Sequence, residues 1–182
     1  MSRYLDHDWF PESLPENVEL GERTWLYSTY AFRHFQSRRT IGLRTGHDTG
    51  LYNGTFFDLG PNGEVSIGDY CTLVGAIICS NGRVEIGDYA FIAHEVVIAD
   101  TFAALPGILG QNISAASEVH QSQKARIVIR ENVWIGARAV LLDGADIGEG
   151  AVVGAAAVVD FHVPPFSVVA GNPGRIVKKI KS

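Results

Sequence analysis

The chain has 182 residues, of which 46% are hydrophobic and 19% charged, and its net charge is −5 at pH 7. This length suits one domain with a sizeable core, and the hydrophobic fraction is too high for wholesale disorder. The acidic balance offers no footprint for nucleic acid, and no apolar run reaches the ~18 residues of a membrane-spanning helix. Cys71 and Cys79 form no CxxC pair, and the N-terminus lacks the apolar core of a signal peptide. We therefore expect reduced thiols in a cytoplasmic protein.

A six-residue period dominates the second half of the chain. Large aliphatic residues recur at every sixth position, namely Ile129, Ile135, Leu141, Ile147, Val153 and Val159. Four residues after each of them stands alanine or valine, namely Val133, Ala139, Ala145, Ala151, Ala157 and Val163. A helix repeats its apolar residues about every 3.6 positions and a long strand alternates them, so neither fits. A period of six predicts short strands separated by turns and stacked as an all-β solenoid, with the aliphatic residues facing inward.

In chain order, the prediction begins with a cap. Residues 1–17 show no repeat and are expected to pack over the first coil, because every solenoid must cover its open end. Residues 18–172 are predicted to form the solenoid. Its upstream coils follow the rule less regularly, with Cys71 as a small core residue and Ile77 at a fifth position of its hexad.

Two downstream segments depart from the repeat. The rhythm breaks between Ile98 and Ile129, which predicts an excursion from the coil over about residues 100–125. Long excursions from a rigid scaffold are usually functional. Turn residues fill 170–174, and residues 173–182 are predicted to form a short helical tail.

Three stretches resemble the hexapeptide-repeat acyltransferases: VWIGARAV at 133–140, IGEGAVVGA at 147–155, and VPPFSVVAGNPGRIV at 163–177. The last is similar to the maltose, galactoside and xenobiotic acetyltransferase branch. The resemblance implies a left-handed parallel β-helix, a homotrimer with active sites between subunits, and acetyl-CoA as the acyl donor without a metal. It also implies transfer to a hydroxyl or amine of a small acceptor, for which we expect a sugar.

Acyl transfer needs a base, and histidine is the natural one near neutral pH. In the branch just named, the catalytic histidine follows the third strand of its coil. That place falls near Ala103 here, where no histidine stands. His94 has the same offset from Ile86-Gly87 that the first catalytic histidine of the serine acetyltransferases has from its own Ile-Gly pair. We predict His94 as the base, on an outward third position of its hexad, with His120 in the excursion as the alternative.

The carboxylate that would orient His94 stays open at this point. The acidic partner of the serine acetyltransferases would align near Cys79, so that pair is not reproduced. Asp58, Glu95, Asp100 or a carboxylate from the neighbouring subunit are the candidates.

The donor site is predicted from stacking and from the resemblance. Residues eight places into each coil should form one column spaced by about 4.8 Å, and this column reads Asn53, Gly75, His94, Ala137 and Ala155. In the resembling family the positions of Ala137 and Ala155 contact the pantetheine arm through the backbone. Arg175 and Lys178 match tail positions that hold the phosphates of coenzyme A, which suits charge-assisted contacts.

Other classes of function are weighed beside this one. A non-catalytic solenoid serving as a binding or assembly module is the main alternative, favoured by the missing loop histidine. A zinc carbonic anhydrase of the same fold needs two histidines five residues apart, and no pair here has that spacing. His47 is interpreted as a structural partner of Asp48, and Trp134 either lines the groove or packs at the trimer seam.

Overall fold

The chain is built as a three-sided parallel β-helix. The structure, a computed structural model, describes residues 4–100 and 125–180. Successive coils contribute one strand to each of three sheets, and the described strand pairs are parallel except for the last. The all-β prediction is confirmed, and the parallel sheets are consistent with the left-handed β-helix that the resemblance implies.

The three sheets are the faces of a prism. The first sheet consists of β1 (Val18–Glu19), β3 (Leu43–Thr45), β6 (Glu64–Ile67), β9 (Arg83–Ile86), β12 (Arg126–Ile129), β15 (Asp146–Ile147) and β18 (His162–Val163). The second sheet consists of β2 (Trp25–Leu26), β4 (Gly50–Tyr52), β7 (Thr72–Val74), β10 (Phe91–Ile92), β13 (Trp134–Ile135), β16 (Val152–Val153), β19 (Ser167–Ala170) and β20 (Arg175–Lys179). The third sheet consists of β5 (Phe56–Leu59), β8 (Ile77–Ser80), β11 (Val97–Ala99), β14 (Val140–Leu142) and β17 (Val158–Val159).

The described residues contain one helix, the short 3-10 helix Thr29–Phe32 after β2. Its N-cap is Ser28, whose side chain accepts a hydrogen bond from the backbone N–H of Tyr30. Within the described ranges, no helix is long and apolar enough to cross a membrane.

Inward-facing residues stack in columns through the prism. The column of the second sheet contains Leu26, Leu51, Leu73, Ile92, Ile135, Val153 and Val169. None of these side chains is more than 3% exposed. Burial of an aliphatic side chain of this size contributes about 1.5–3 kcal/mol. In the second half of the chain, the residues that the six-residue period places inside are buried as predicted, which confirms the interpretation of the repeat there.

The corners turn at the fourth position of each hexad, where the backbone takes a positive φ. Non-glycine residues hold this conformation, with φ between 53° and 61°, at Arg23, Asp48, Tyr70, Tyr89, Glu95, Asn132, Arg138, Ala156 and Phe166. Gly75 is an exception, because it takes a φ of 66° at a third position and makes its corner one residue shorter. Consequently Ala76 and Ile78 are buried while Ile77 is only half-buried, so the prediction for Ile77 was wrong.

The N-terminal segment packs against the first coil. The ring of His7 stacks on Trp25 with 4.3 Å between centroids. The carboxylate of Asp8 accepts hydrogen bonds from the hydroxyls of Ser28 and Thr29 at 2.7 Å each. This segment is thereby tied to the start of the 3-10 helix.

The end of the chain differs from the prediction. Residues Arg175–Lys179 form strand β20, antiparallel to β19, so the expected helical tail is wrong. The β-branched Ile176 and Val177 suit a strand, and β19 offers an unpaired edge for it. Of the predicted excursion, residues 101–124 lie outside the described residues, and His120 with them.

Candidate active site

The corner between the second and third sheets carries the predicted site, and we call it the site edge. Backbone hydrogen bonds stack its coils directly. The carbonyl of Gly75 accepts from the N–H of Glu95 at 3.1 Å, and that of His94 accepts from Arg138 at 2.9 Å. The carbonyl of Ala137 accepts from the N–H of Ala156 at 2.9 Å. Gly75, His94, Ala137 and Ala155 therefore follow one another along the edge, about 4.8 Å apart per coil.

Below His94, two small residues leave the backbone accessible. Ala137 is half-exposed and Ala155 is exposed. Among the described residues, none accepts a hydrogen bond from the backbone N–H of Ala137 or of Ala155. Open amide donors beside methyl side chains form a shallow groove that can bind the carbonyl groups of a thin, extended amide chain.

His94 lies exposed at the top of this groove. None of the three carboxylates considered for it orients the imidazole. Glu95 pairs with the guanidinium of Arg138 at 2.7 Å, and this contact raises the pKa of Arg138. Asp100 accepts from the Ser80 hydroxyl and from two backbone N–H groups of the turn that follows β8.

Asp58 is exposed on β5, opposite Cys79 of β8. Burial raises the pKa of the Cys79 thiol, and the negative charges of Asp58 and Asp100 raise it further. Among the residues that the structure describes, therefore, His94 has no carboxylate partner.

The lower end of the site edge is closed by β20. In its register with β19, Arg175 lies opposite Ala170 and Lys178 opposite Val168. A bulge between Val168 and Val169 places an extra residue on β20. Two basic residues three positions apart thus face outward on the same side of the second sheet, where both are exposed. The site contains the cationic groups that phosphate binding requires.

The upper end of the site edge holds a cavity of about 470 Å³ that the sequence analysis did not find. Its walls come from the N-terminal segment, the first two coils and Ile77 of the third coil, and its aromatic members are Trp9, Tyr27, Tyr30, Tyr52 and Phe56. The only sequence signal for it was the excess of aromatic residues before residue 60. Residues so far apart along the chain gave no spacing from which a cavity could be inferred.

Two other described histidines, His47 and His162, lie beside carboxylates. His47 is held by two carboxylates, with Nδ1 2.7 Å from Asp48 and Nε2 3.0 Å from Asp69. Asp48 also binds the guanidinium of Arg23 at 2.6 Å, and these two contacts lower its pKa to about 2. The interpretation of His47 as a partner of Asp48 is confirmed.

On the first sheet, the Nδ1 atom of His162 lies 3.3 Å from a carboxylate oxygen of Asp146. Arg130 approaches the same carboxylate at 3.1 Å. His162 therefore belongs to a row of exposed ion pairs on a face remote from the site edge.

Comparisons with known proteins identify the repeat and the fold. The family model of the bacterial transferase hexapeptide (six repeats) matches residues 126–160. The 2,3,4,5-tetrahydropyridine-2,6-dicarboxylate N-acetyltransferase of Staphylococcus aureus is 37% identical over 71 residues, which are 39% of this chain and 30% of that protein. A Schizosaccharomyces pombe protein is 38% identical over 85 residues, 41% of each chain. The matched region therefore spans less than half the length of these curated relatives.

Solved structures agree over most of the chain. A hexapeptide-repeat acetyltransferase of Vibrio cholerae, crystallised with acetyl-coenzyme A, gives a TM-score of 0.59 at 24% identity and covers 85% of this chain and 77% of that one. AntD, an N-acyltransferase of Bacillus cereus in complex with dTDP and 3-hydroxybutyryl-CoA, gives 0.52 at 20% identity, covering 91% and 81%. Residues 126–160 thus carry the bacterial transferase hexapeptide repeat, and the chain has the fold of the hexapeptide-repeat acetyltransferases.

Proposed function

We propose that this protein is an acyltransferase that moves an acetyl or similar acyl group from coenzyme A to a hydroxyl or amine of a small acceptor, with a sugar as the expected class. The observation that carries the proposal is the order of groups along the site edge: a histidine, then two open backbone amides, then two basic side chains. This is the order in which an acyl-coenzyme A presents its thioester, its pantetheine amides and its phosphates. The acyl-coenzyme A complexes of proteins with this fold support the same donor.

In the proposed reaction His94 acts as general base. Its imidazole accepts the proton of the acceptor hydroxyl or amine as that group attacks the thioester carbonyl. The tetrahedral oxyanion is stabilised by an open backbone N–H of the groove. Collapse of the intermediate breaks the carbon–sulfur bond, and the imidazolium returns the proton to the departing thiolate. Held in this geometry, the reactants gain much of their rate from proximity.

Binding of the donor is divided along the edge. The N–H groups of Ala137 and Ala155 donate to pantetheine carbonyls, while Arg175 and Lys178 bind phosphate. No described residue forms an ion pair with either basic side chain. One N–H of the Arg175 guanidinium donates to the carbonyl of Gly174 at 2.7 Å, and its other donors have no described acceptor. The donor thereby spans from the fourth coil to the tail.

A homotrimer with sites between subunits completes this proposal. The outer face of the second sheet presents Phe91 and Trp134, which are 42% and 55% exposed and pack edge to face at 6.3 Å. Exposed aromatic rings beside the groove suit burial against a neighbouring subunit. A neighbour at this face would also be able to supply the carboxylate that His94 lacks among the described residues.

The decisive test replaces His94 by alanine. Acetyl transfer from acetyl-CoA to a panel of sugars, amino sugars and amines is followed by mass spectrometry of the products and by release of the coenzyme A thiol. His94→Ala should lower kcat by about 100-fold or more with little change in the Kd for coenzyme A. His162→Ala, an exposed histidine on the first sheet, is the matched control and should keep full activity.

The competing assignments give different results. A large loss in His120→Ala with normal turnover in His94→Ala would move the base to the excursion. Failure of the wild-type protein to bind coenzyme A in calorimetry would instead favour the non-catalytic binding module. The supporting observation for that alternative is that no described carboxylate contacts the imidazole of His94.

A further inference from the structure

The cavity at the upper end of the site edge has a built aromatic wall without charge. The ring of Tyr30 packs against Trp9 at 5.6 Å and against Phe56 at 6.0 Å between centroids. Phe10 meets Tyr30 edge to face at 5.3 Å from outside the cavity. Among the residues that the structure describes, no charged side chain lines the cavity. A pocket with these walls favours an uncharged ligand that offers an apolar face to the rings.

A few polar groups are placed to fix such a ligand. The phenols of Tyr27 and Tyr52 and the carboxamide of Asn53 border the cavity, and the described residues make no hydrogen bonds to these side chains. The ring of Tyr52 lies against Gly50, where an added Cβ would come within 2.3 Å of it. Side-chain donors and acceptors at the edge of a pocket are the usual means of orienting a bound hydroxyl.

The N-terminal segment supplies the outer wall. Trp9 follows Asp8, whose carboxylate accepts from the backbone N–H of Thr29 at 2.6 Å as well as from the Ser28 hydroxyl. This anchor holds Trp9 over Tyr30 although its side chain is 66% exposed. An exposed tryptophan fixed beside a cavity is available to stack on a ligand.

The cavity and His94 lie on the same edge at a fixed separation. Asn53 borders the cavity and occupies the third position two coils above His94. Two coils correspond to about 10 Å. A group bound beside Asn53 is therefore too far from His94 to be acylated itself, while a group attached to it about 10 Å away is within reach.

We propose that this cavity, the ring pocket, binds an uncharged ring at the far end of an elongated acceptor whose acylated hydroxyl or amine lies at His94. The position of the acylated group at His94 rests on the proposed function. The ring pocket deepens that function by naming the shape and chemistry of the acceptor. The shared chemistry is a ring with an apolar face, which a hexopyranose or an aromatic group supplies.

The test measures binding without turnover, so that it stands apart from the test of catalysis. Phenyl β-D-glucopyranoside carries both kinds of ring, and methyl β-D-glucopyranoside and phenol each carry one. Their Kd values are determined by tryptophan fluorescence and saturation-transfer NMR, without acyl donor. We expect saturable binding of the phenyl glucoside. The tighter of the two single-ring probes then identifies which ring the pocket prefers.

Variants locate the binding. Trp9→Ala and Tyr52→Ala should each raise the Kd for phenyl β-D-glucopyranoside by about tenfold. Tyr89→Ala is the matched control, because Tyr89 is 57% exposed at another corner and should leave the Kd unchanged. Binding should also persist in His94→Ala, whatever the outcome of the turnover assay. Absence of saturable binding of all three probes at millimolar concentration, or equal Kd values for Tyr52→Ala and Tyr89→Ala, would overturn the proposal.

Discussion

Asp8 is predicted to anchor the N-terminal segment through its charge. Its carboxylate accepts hydrogen bonds from the backbone N–H groups of Phe10 and Thr29 and from the hydroxyls of Ser28 and Thr29. Burial by itself would raise the pKa of Asp8, but these hydrogen bonds outweigh it and lower the pKa from 3.8 to about 2. A difference of this size corresponds to roughly 2 kcal/mol of stability at neutral pH.

The sign of the pH dependence follows from the lowered pKa. The folded protein favours the ionised form of Asp8 more than the unfolded chain does. The contribution of Asp8 to the free energy of unfolding is therefore complete above pH 3.8 and is lost as the pH falls through about 2. Asp8→Asn keeps the shape and removes the charge. At pH 7 it should lower the free energy of unfolding by about 2 kcal/mol and the Tm by roughly 4–8 °C.

The assay is denaturant and thermal unfolding of the wild type and of Asp8→Asn between pH 2 and pH 7. Asp6→Asn is the matched control, because Asp6 is exposed in the same segment. The difference in the free energy of unfolding between wild type and Asp8→Asn should shrink toward zero near pH 2. Asp6→Asn should have the free energy of unfolding of the wild type at every pH. A gap that is absent at pH 7, or one that persists unchanged at pH 2, would refute the role of the charge.

Four further substitutions test the site edge and its coils. Gly136→Ala should destabilise the fold by about 1–3 kcal/mol in thermal unfolding, because the added Cβ would lie 2.6 Å from the backbone nitrogen of Ala155 in the next coil. Ala155→Leu should raise the Kd for coenzyme A in calorimetry by about tenfold without lowering the Tm, since the exposed side chain fills the groove and not the core. Arg175→Ala and Lys178→Ala should each raise the Kd for coenzyme A by about tenfold and reduce the salt dependence of its binding. An unchanged salt dependence would show that these side chains do not bind the phosphates.

The interior of the fold could be predicted from sequence because each coil repeats one steric demand. A residue such as Ile135 faces its equivalents in the coils above and below, so size and apolarity are required at every sixth position. The prediction failed where a single residue changed the count. Gly75 shortens one corner, and as a result Ile77 is only half-buried while Ile78 occupies the core. No periodicity argument detects a shift that depends on one backbone angle.

The tail and the ring pocket were missed for a different reason. Residues Arg175–Lys179 form a strand because the edge of β19 is available to pair with them, and this edge exists only in the folded protein. Trp9 and Tyr52 share a cavity because Asp8 fixes the N-terminal segment on the first coil. Such features depend on contacts between distant parts of the chain, and local patterns do not encode them.

At the other two corners of the prism, carboxylates cap backbone N–H groups of the upper coils. Where the first sheet turns into the second, carboxylates cap the backbone: Asp69 accepts from the N–H of His47 at 2.9 Å, and Asp88 accepts from that of Asp69 at 2.8 Å. Where the third sheet turns into the first, Asp100 caps two amides of the preceding coil.

In the lower coils of the site edge, no described carboxylate caps the backbone N–H groups. Its third positions there are alanines, so the amides of Ala137 and Ala155 have no described carboxylate to satisfy them. An N–H group without a protein partner must bond to water or to a ligand. On the corner between the first and second sheets, the amides of Glu131 and Glu149 likewise have no described acceptor, but exposed carboxylates stand beside them. The site edge differs because methyl side chains flank its open amides and because His94 and the ring pocket lie on the same corner, which is the structural reason to look for substrate there.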